Sequence, residues 1–273
     1  MAKELLVIKI GGTEGVNFDF LCLEIAEMVT QRSKIIVVHG GSKEANVLGE
    51  KVGHPAKFIT SPEGFTSRYT DSETMEIFSM AVKGKVNTSI VTKLQKFGVN
   101  AFGLSGIDGQ FMIAVRKKAI QSVENGKRKI IRDDFSGKIE NVNVSILNWL
   151  LEMNIVPVIA PLAVSTEGEG LNVDADRVAA MVARAMHADG LMLFTAVKGL
   201  YRDFPNEKTW IPKLKQNELP NALQYAQGRM KKKILSAQEA LAGGVRRVAI
   251  ADGRGDRPIA NAFAGQATWI GVE

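Results

Sequence analysis

Leu5-Leu6-Val7-Ile8-Lys9-Ile10-Gly11-Gly12 and Lys34-Ile35-Ile36-Val37-Val38-His39-Gly40-Gly41-Ser42 decide the fold. Each is a continuous apolar run closed by a glycine pair, the pattern of a parallel strand covered on both faces. Between them, Phe18 to Gln31 carries helical spacing through Phe18, Leu21, Ile25, Met28 and Val29. The two strands are therefore expected to lie side by side, presenting backbone N–H groups to one phosphate-sized anion. Ligands gather at the carboxyl ends of strands in open α/β sheets. Lys9 is placed there to aim a cation at a bound anion, and the glycines let backbone approach it without side chains. The competing reading is a lysine that snorkels out of a strand end before an ordinary turn.

The rest of the chain extends the same alternation. A short helix is expected over residues 43–53, then a polar loop to Ser67, then one long helix from Asp71 to Gly98, or two broken near Gly84. Arg68 just ahead of that helix can act as a carboxylate clamp through its planar fork, or form a surface salt bridge to Asp71 or Glu73. Phe111 to Val115 with Ala119 to Val123 alternate like a hairpin, and Glu124-Asn125-Gly126-Lys127 supplies the turn of a second one. Further strands are expected at residues 101–105, 155–160, 191–196, 245–251 and 267–270. Leu171-Asn172-Val173-Asp174-Ala175-Asp176 opens a helix to about His187, gathering Asn172, Asp174 and Asp176 at its start. Val197-Lys198-Gly199-Leu200-Tyr201 follows the strand expected over 191–196, in position to cover a nucleotide base. Gly228-Arg229-Met230-Lys231-Lys232-Lys233 opens a helix to Leu241. Three adjacent lysines point in different directions around a helix, so helix phase decides which faces a cleft.

Composition bounds the function. The 273 residues are 45% hydrophobic and 23% charged, ordinary for a soluble globular protein. The lack of any run of about 18 apolar residues or of a signal pattern predicts a cytosolic protein. Cys22 is the single cysteine, read as core filler, and His39, His54 and His187 are too scattered for a zinc site. His39 reads as a structural histidine at a strand end. The net charge of +6 is uneven: Arg116 to Lys138 holds eight basic and three acidic residues, a net +5. That ribbon argues for an acidic partner, against a solvated edge whose charge only prevents edge-to-edge aggregation. It lacks interleaved aromatics for stacking nucleic-acid bases.

These motifs together resemble those of the amino-acid kinase superfamily: residues 7–12, His39-Gly40-Gly41-Ser42, Arg68, Asn172 to Asp176 and Gly228 to Lys233 match in order and spacing over the whole chain. Within it the sequence is similar to N-acetylglutamate kinases and closer to kinases acting on aminoadipate, or glutamate, carried by the small acidic protein LysW. That closer likeness rests on Gly11-Gly12-Thr13-Glu14-Gly15-Val16-Asn17, Ser67 to Asp71, Glu124 to Lys127 and Ala226 to Met230. The resemblance implies a three-layer αβα sandwich around a mostly parallel sheet, with a substrate lobe at 1–165, a nucleotide lobe at 166–273 and a basic β-hairpin near 111–140. It implies Lys9 and Lys233 as transition-state lysines oriented by Asp176, and phosphoryl-binding amides at Gly11, Gly12 and Gly41. Gly41, Ser42, Arg68 and Asn172 would hold the substrate, and Thr195, Lys198 and Tyr201 the nucleotide. Lys117, Lys118, Arg128 and Lys129 would dock LysW. ATP with Mg²⁺ and a homodimer are implied, with no protein metal site. Ser42 stands where acetylglutamate kinases have a third glycine, pointing to a differently seated attachment end of the substrate.

The residue types suit that chemistry. A carboxylate nucleophile with a pKa of about 4.3 is already ionised at neutral pH, so no general base is required. Catalysis then depends on positioning and charge compensation. No Walker A pattern is present. An acyl-phosphate product is labile in water, so closure of the lobes is expected. A free N-acetylglutamate kinase is the alternative, sharing the catalytic residues without needing the basic ribbon.

Overall fold

The computed structural model describes residues 4–12, 15–62, 64–124 and 127–271. Its centre is an eight-stranded sheet. In chain order the strands are β1 (Leu5–Ile10), β2 (Lys34–His39), β3 (Ala101–Ser105), β4 (Val156–Ala160), β5 (Gly190–Thr195), β6 (Lys213–Leu214), β7 (Arg247–Asp252) and β8 (Ala267–Ile270). Their spatial order is β6-β8-β7-β5-β1-β2-β4-β3. The six from β7 to β3 run parallel, and β8 turns antiparallel against β7. The chain moves from β1 outward through β2 and then crosses to the far side with β5. The order therefore reverses at β1, where open α/β sheets bind ligands.

The helices are α1 (Phe18–Thr30), α2 (Ser42–Lys51), α3 (Ser72–Ser79), α4 (Thr88–Lys96), α5 (Ser145–Glu152), α6 (Ala175–Ala185), α7 (Leu219–Tyr225), α8 (Gly228–Ala242) and α9 (Pro258–Phe263). Strand alternation sorts them into two layers. Val7, Ile36, Val38, Leu191 and Leu193 pack on one face against α5, α6 and α8. Leu6, Ile8, Ile10, Ile35, Val37 and Phe194 pack on the other against α1, α4 and α9. This is the αβα sandwich expected from the sequence. Cys22 is buried in the second layer, and burial pushes its thiol up to about 12. Among the described residues no helix is long and apolar enough to cross a membrane.

Two local expectations are corrected and one open alternative is decided. Phe111 to Val115 does not pair with Ala119 to Val123. Met112–Arg116 instead pairs antiparallel with Gly137–Val142, within a four-stranded sheet that also holds Leu162–Val164 and Gly170–Asn172. Buried Met112 and Ala114 tie that strand to the core. Ile120–Glu124 pairs with Lys127–Ile131 as the ribbon, and Asn125 and Gly126 of its expected turn lie outside the described residues. The expected loop before Ser67 contains a small hairpin, Phe58–Thr60 with Thr66–Arg68. Of the two forms left open for residues 71–98 the structure has the continuous one, with the π-helical segment Met80–Asn87 carrying α3 through Gly84 into α4.

Candidate active site

Lys9 shares the parity of Val7, so its side chain leaves β1 on the face covered by α6 and α8. There its Nζ lies 2.7 Å from Asp176 Oδ1, and Lys233 Nζ lies 2.7 Å from Asp176 Oδ2. All three side chains are buried. Asp174 caps α6, accepting from the Asp176 and Arg177 N–H groups at 3.0 and 3.3 Å, and so places Asp176 in the helix's first turn. Helix phase resolves the lysine choice left open above. Lys233 shares the buried stripe of α8 with Ser236, Ala237 and Ala240, at i+3, i+4 and i+7. Lys231 instead covers the Phe65 ring, and Lys232 donates to the Thr66 carbonyl at 3.3 Å.

One carboxylate between two ammonium groups leaves a net buried positive charge. Burial alone would raise the Asp176 pKa, but attraction by Lys233 and then Lys9 prevails and holds it below the ordinary carboxylate value. Burial lowers the Lys233 pKa, opposed by Asp176. The arrangement is arranged to receive an anion.

The two glycine turns are pressed together where β1 and β2 end. A Cβ on Gly12 would lie 2.3 Å from the Gly41 nitrogen, and one on Gly40 would lie 2.7 Å from the Gly12 nitrogen. Only glycine permits that backbone approach. Gly41 precedes α2 without any side-chain cap, and its own N–H donates to no group among the described residues. Gly11 is buried beside it at the end of β1, while Thr13 and Glu14 of the motif lie outside the described residues.

A cleft of about 850 Å³ opens beside the second turn, lined by Gly40, Gly41, Ser42, Arg68 and Asn172, and extends to Lys117 and Lys232; the triad, Gly11 and Gly12 lie outside its lining. Arg68 forms neither salt bridge open to it from sequence. Asp71 caps α3 through Thr74 N–H at 2.8 Å. Arg68 donates to the Ser42 carbonyl at 3.1 Å and to Asn46 Oδ1, flanked by the Phe58 and Phe78 rings at 5.3 and 5.8 Å. Its charge has no carboxylate partner among the described residues, and burial lowers its pKa.

Asn172 is held by a contact that sequence gave no sign of. Its Nδ2 donates to Thr70 Oγ1 at 3.0 Å, and that hydroxyl donates to the Arg68 carbonyl at 3.3 Å. With its proton so committed, Thr70 only accepts from Asn172, which turns Asn172 Oδ1 outward as an acceptor. Buried Asp134 completes the link, accepting from Thr70 N–H at 2.9 Å and Ser136 N–H at 2.7 Å. The base of the ribbon is thereby tied to both Arg68 and Asn172. Thr70→Val is expected to raise KM for the carboxylate substrate about tenfold, leaving kcat and KM for ATP unchanged in steady-state assays.

Lys117 lines the cleft with its side chain exposed, and the partial desolvation there lowers its pKa against the opposing pull of Asp134. Lys118, Arg128 and Lys129 stand exposed on the ribbon. The nucleotide candidates lie outside the cleft lining. Thr195 ends β5 opposite Asp252, Lys198 covers the Trp210 ring at 3.7 Å, and Tyr201 pairs with Trp210 while meeting Phe204 edge-on at 5.6 Å. Among the described residues no group of three or more His, Cys, Asp or Glu side chains could hold a metal ion.

Residues 4–252 match the model of the Amino acid kinase family. The chain belongs to that family. The kinase is 47% identical over 266 residues to a [LysW]-aminoadipate kinase of Deinococcus radiodurans, covering 97% of this chain and 91% of that one. It is 42% identical over 268 residues to the [LysW]-aminoadipate kinase of Thermus thermophilus, covering 97% and 100%. Among solved structures it resembles N-acetylglutamate synthase of Neisseria gonorrhoeae complexed with coenzyme A and N-acetyl-glutamate, with a TM-score of 0.79 and 23% identity. The match covers 99% of this kinase and 60% of that longer chain, and at that identity the likeness is one of fold.

Proposed function

We propose that this kinase transfers the γ-phosphoryl group of ATP to the side-chain carboxylate of 2-aminoadipate carried on LysW, forming an acyl phosphate. The observation that carries this reading is the single cleft joining Arg68 and Asn172 to Lys117 at the root of a basic ribbon, in a chain closely similar to two [LysW]-aminoadipate kinases along its length.

In this reading Lys9 and Lys233 stabilise charge spreading over the transferring phosphoryl oxygens, and Asp176 orients both lysines. The amides of Gly11, Gly12 and Gly41 add oriented donors. Arg68 receives a substrate carboxylate, Asn172 Oδ1 accepts an N–H of the amide that links substrate to carrier, and Gly41 and Ser42 complete the wall. Thr195, Lys198 and Tyr201 belong to the ATP side. Mg²⁺ would enter as part of the ATP substrate, where it would offset phosphate charge; Asp176 is engaged by Lys9 and Lys233. The acceptor carboxylate is ionised at neutral pH, and no side chain has to remove a proton.

The ribbon, through Lys117, Lys118, Arg128 and Lys129, docks the acidic carrier while the attached side chain enters the cleft. Substrate and nucleotide lobes dividing near residue 165, a cytoplasmic homodimer and a place in lysine biosynthesis belong to the same reading. Glutamate is one methylene shorter than aminoadipate, worth about 0.8 kcal/mol of burial, so carrier-borne glutamate and a role in arginine biosynthesis are compatible with the same cleft. Hydroxylamine trapping of an acyl phosphate from ATP, Mg²⁺ and aminoadipate-bearing LysW tests the proposal.

A further inference from the structure

His39 is buried and lies outside the chemistry assigned above, yet every polar atom of its ring is engaged. It shares the parity of Ile35 and Val37, so it leaves β2 on the α1 and α4 face, opposite to Lys9. Asn87, the last residue of the π-helical segment, donates through Nδ2 to the Val158 carbonyl at 2.8 Å and meets His39 Nε2 at 3.0 Å. A carbonyl only accepts, so the Asn87 nitrogen is fixed on that side and His39 Nε2 must be the acceptor. The ring proton then sits on Nδ1, which lies 2.7 Å from the Gly40 carbonyl oxygen and donates to it. Burial first of all lowers the His39 pKa to about 4, so the ring is neutral at physiological pH.

The bond to Gly40 has a consequence on the other side of the sheet. In a planar trans peptide the N–H of residue 41 points opposite to the C=O of residue 40. Drawing the Gly40 carbonyl toward the α1 and α4 face turns the Gly41 N–H toward the face of Lys9, Asp176 and Lys233. Val82, from the same π-helical segment, closes the position from behind: a Cβ on Gly41 would lie 2.6 Å from Val82 Cγ1. We propose that His39, held in one tautomer by Asn87, is the positioning residue that aims the Gly41 amide at the transferring phosphoryl group. The inference rests on the phosphoryl-transfer reading above.

The test joins a spectrum to a pair of variants. Nitrogen-15 NMR of the intact, unmodified protein is expected to show the His39 proton on Nδ1. His39→Leu removes the donor, whereas His39→Asn restores an N–H the same number of bonds from Cα. His39→Leu is expected to lower kcat about 100-fold with both KM values held within about threefold, and His39→Asn to recover to within about tenfold of wild type. A proton on Nε2, an unchanged kcat in His39→Leu, or equal losses in both variants would overturn the proposal. The tautomer is read without mutation, so the test stands even where His39→Leu does not fold. Absence of wild-type turnover on aminoadipate-bearing LysW would overturn the proposed function instead, leaving the tautomer to judge the clamp.

Discussion

Replacing Asp176 by asparagine is expected to lower kcat by about 10³-fold, more than the loss of any single substrate contact. In the native site each carboxylate oxygen lies 2.7 Å from one lysine Nζ. Without the negative charge, two buried ammonium groups repel one another with no anion between them. That repulsion favours loss of a proton from one of them. Lys233, whose pKa burial already lowers, is the one expected to lose it. The variant should therefore lose activity on the alkaline side at a lower pH than the native enzyme, an effect read from the pH dependence of kcat. A pH profile identical to wild type would show that Asp176 does not govern the lysines' charge.

The same carboxylate links stability to acid. Because its pKa is depressed in the folded protein, its stabilising contribution is fully present above the ordinary value of 3.8. That contribution is lost as pH falls from there toward the depressed value. Asp176→Asn should remove this part of the acid-unfolding dependence.

The second large effect belongs to the ribbon. Charge reversal of Lys117, Lys118, Arg128 and Lys129 together should raise KM for LysW-borne substrate about 100-fold at low ionic strength, with little change in kcat. Exposed charges are screened beyond about 8 Å at physiological salt and about 3 Å at 1 M. The difference between variant and wild type should therefore shrink as salt rises. Lys117 requires separate treatment because it lines the cleft. A triple variant of Lys118, Arg128 and Lys129 isolates surface docking and should show the salt dependence, whereas Lys117→Glu alone should keep part of its KM defect at high salt. An unchanged KM in the quadruple variant would end the docking account.

Much of this site was legible in the chain because its parts are local. A buried strand carrying one lysine and ending in a glycine pair is unusual enough to locate β1, and the repeat at β2 fixed the neighbouring turn. The choice of Lys233 was left open by the residues alone and came only with the resemblance; the burial of Ser236, Ala237 and Ala240 at helical spacing from it supplies the helix phase. The less legible features depend on distant partners. Met112–Arg116 alternates like a hairpin strand, but burial of Met112 and Ala114 ties it to Gly137–Val142, while the turn at Glu124–Lys127 organises the neighbouring ribbon. Strands of three residues at Phe58–Thr60 and Thr66–Arg68 are too short for periodicity to register. Gly84 left one helix or two open, and the helix passes through it as a π-helical segment that carries Val82, behind Gly41, and Asn87, against His39. No local pattern could reveal that Thr70 joins Asp134 and Asn172, residues remote from it in the chain.

The most direct measurement is hydroxylamine trapping of acyl phosphate in the presence of ATP and Mg²⁺, with three acceptors side by side: LysW bearing aminoadipate, LysW bearing glutamate, and free N-acetylglutamate. The account predicts ATP-dependent product with carrier-borne aminoadipate and little or none with the free acid, and the yield with carrier-borne glutamate reports how strictly the cleft counts one methylene. Turnover of free N-acetylglutamate equal to or above that of the carrier-borne substrate would contradict the account, making the basic ribbon incidental and the enzyme an acetylglutamate kinase.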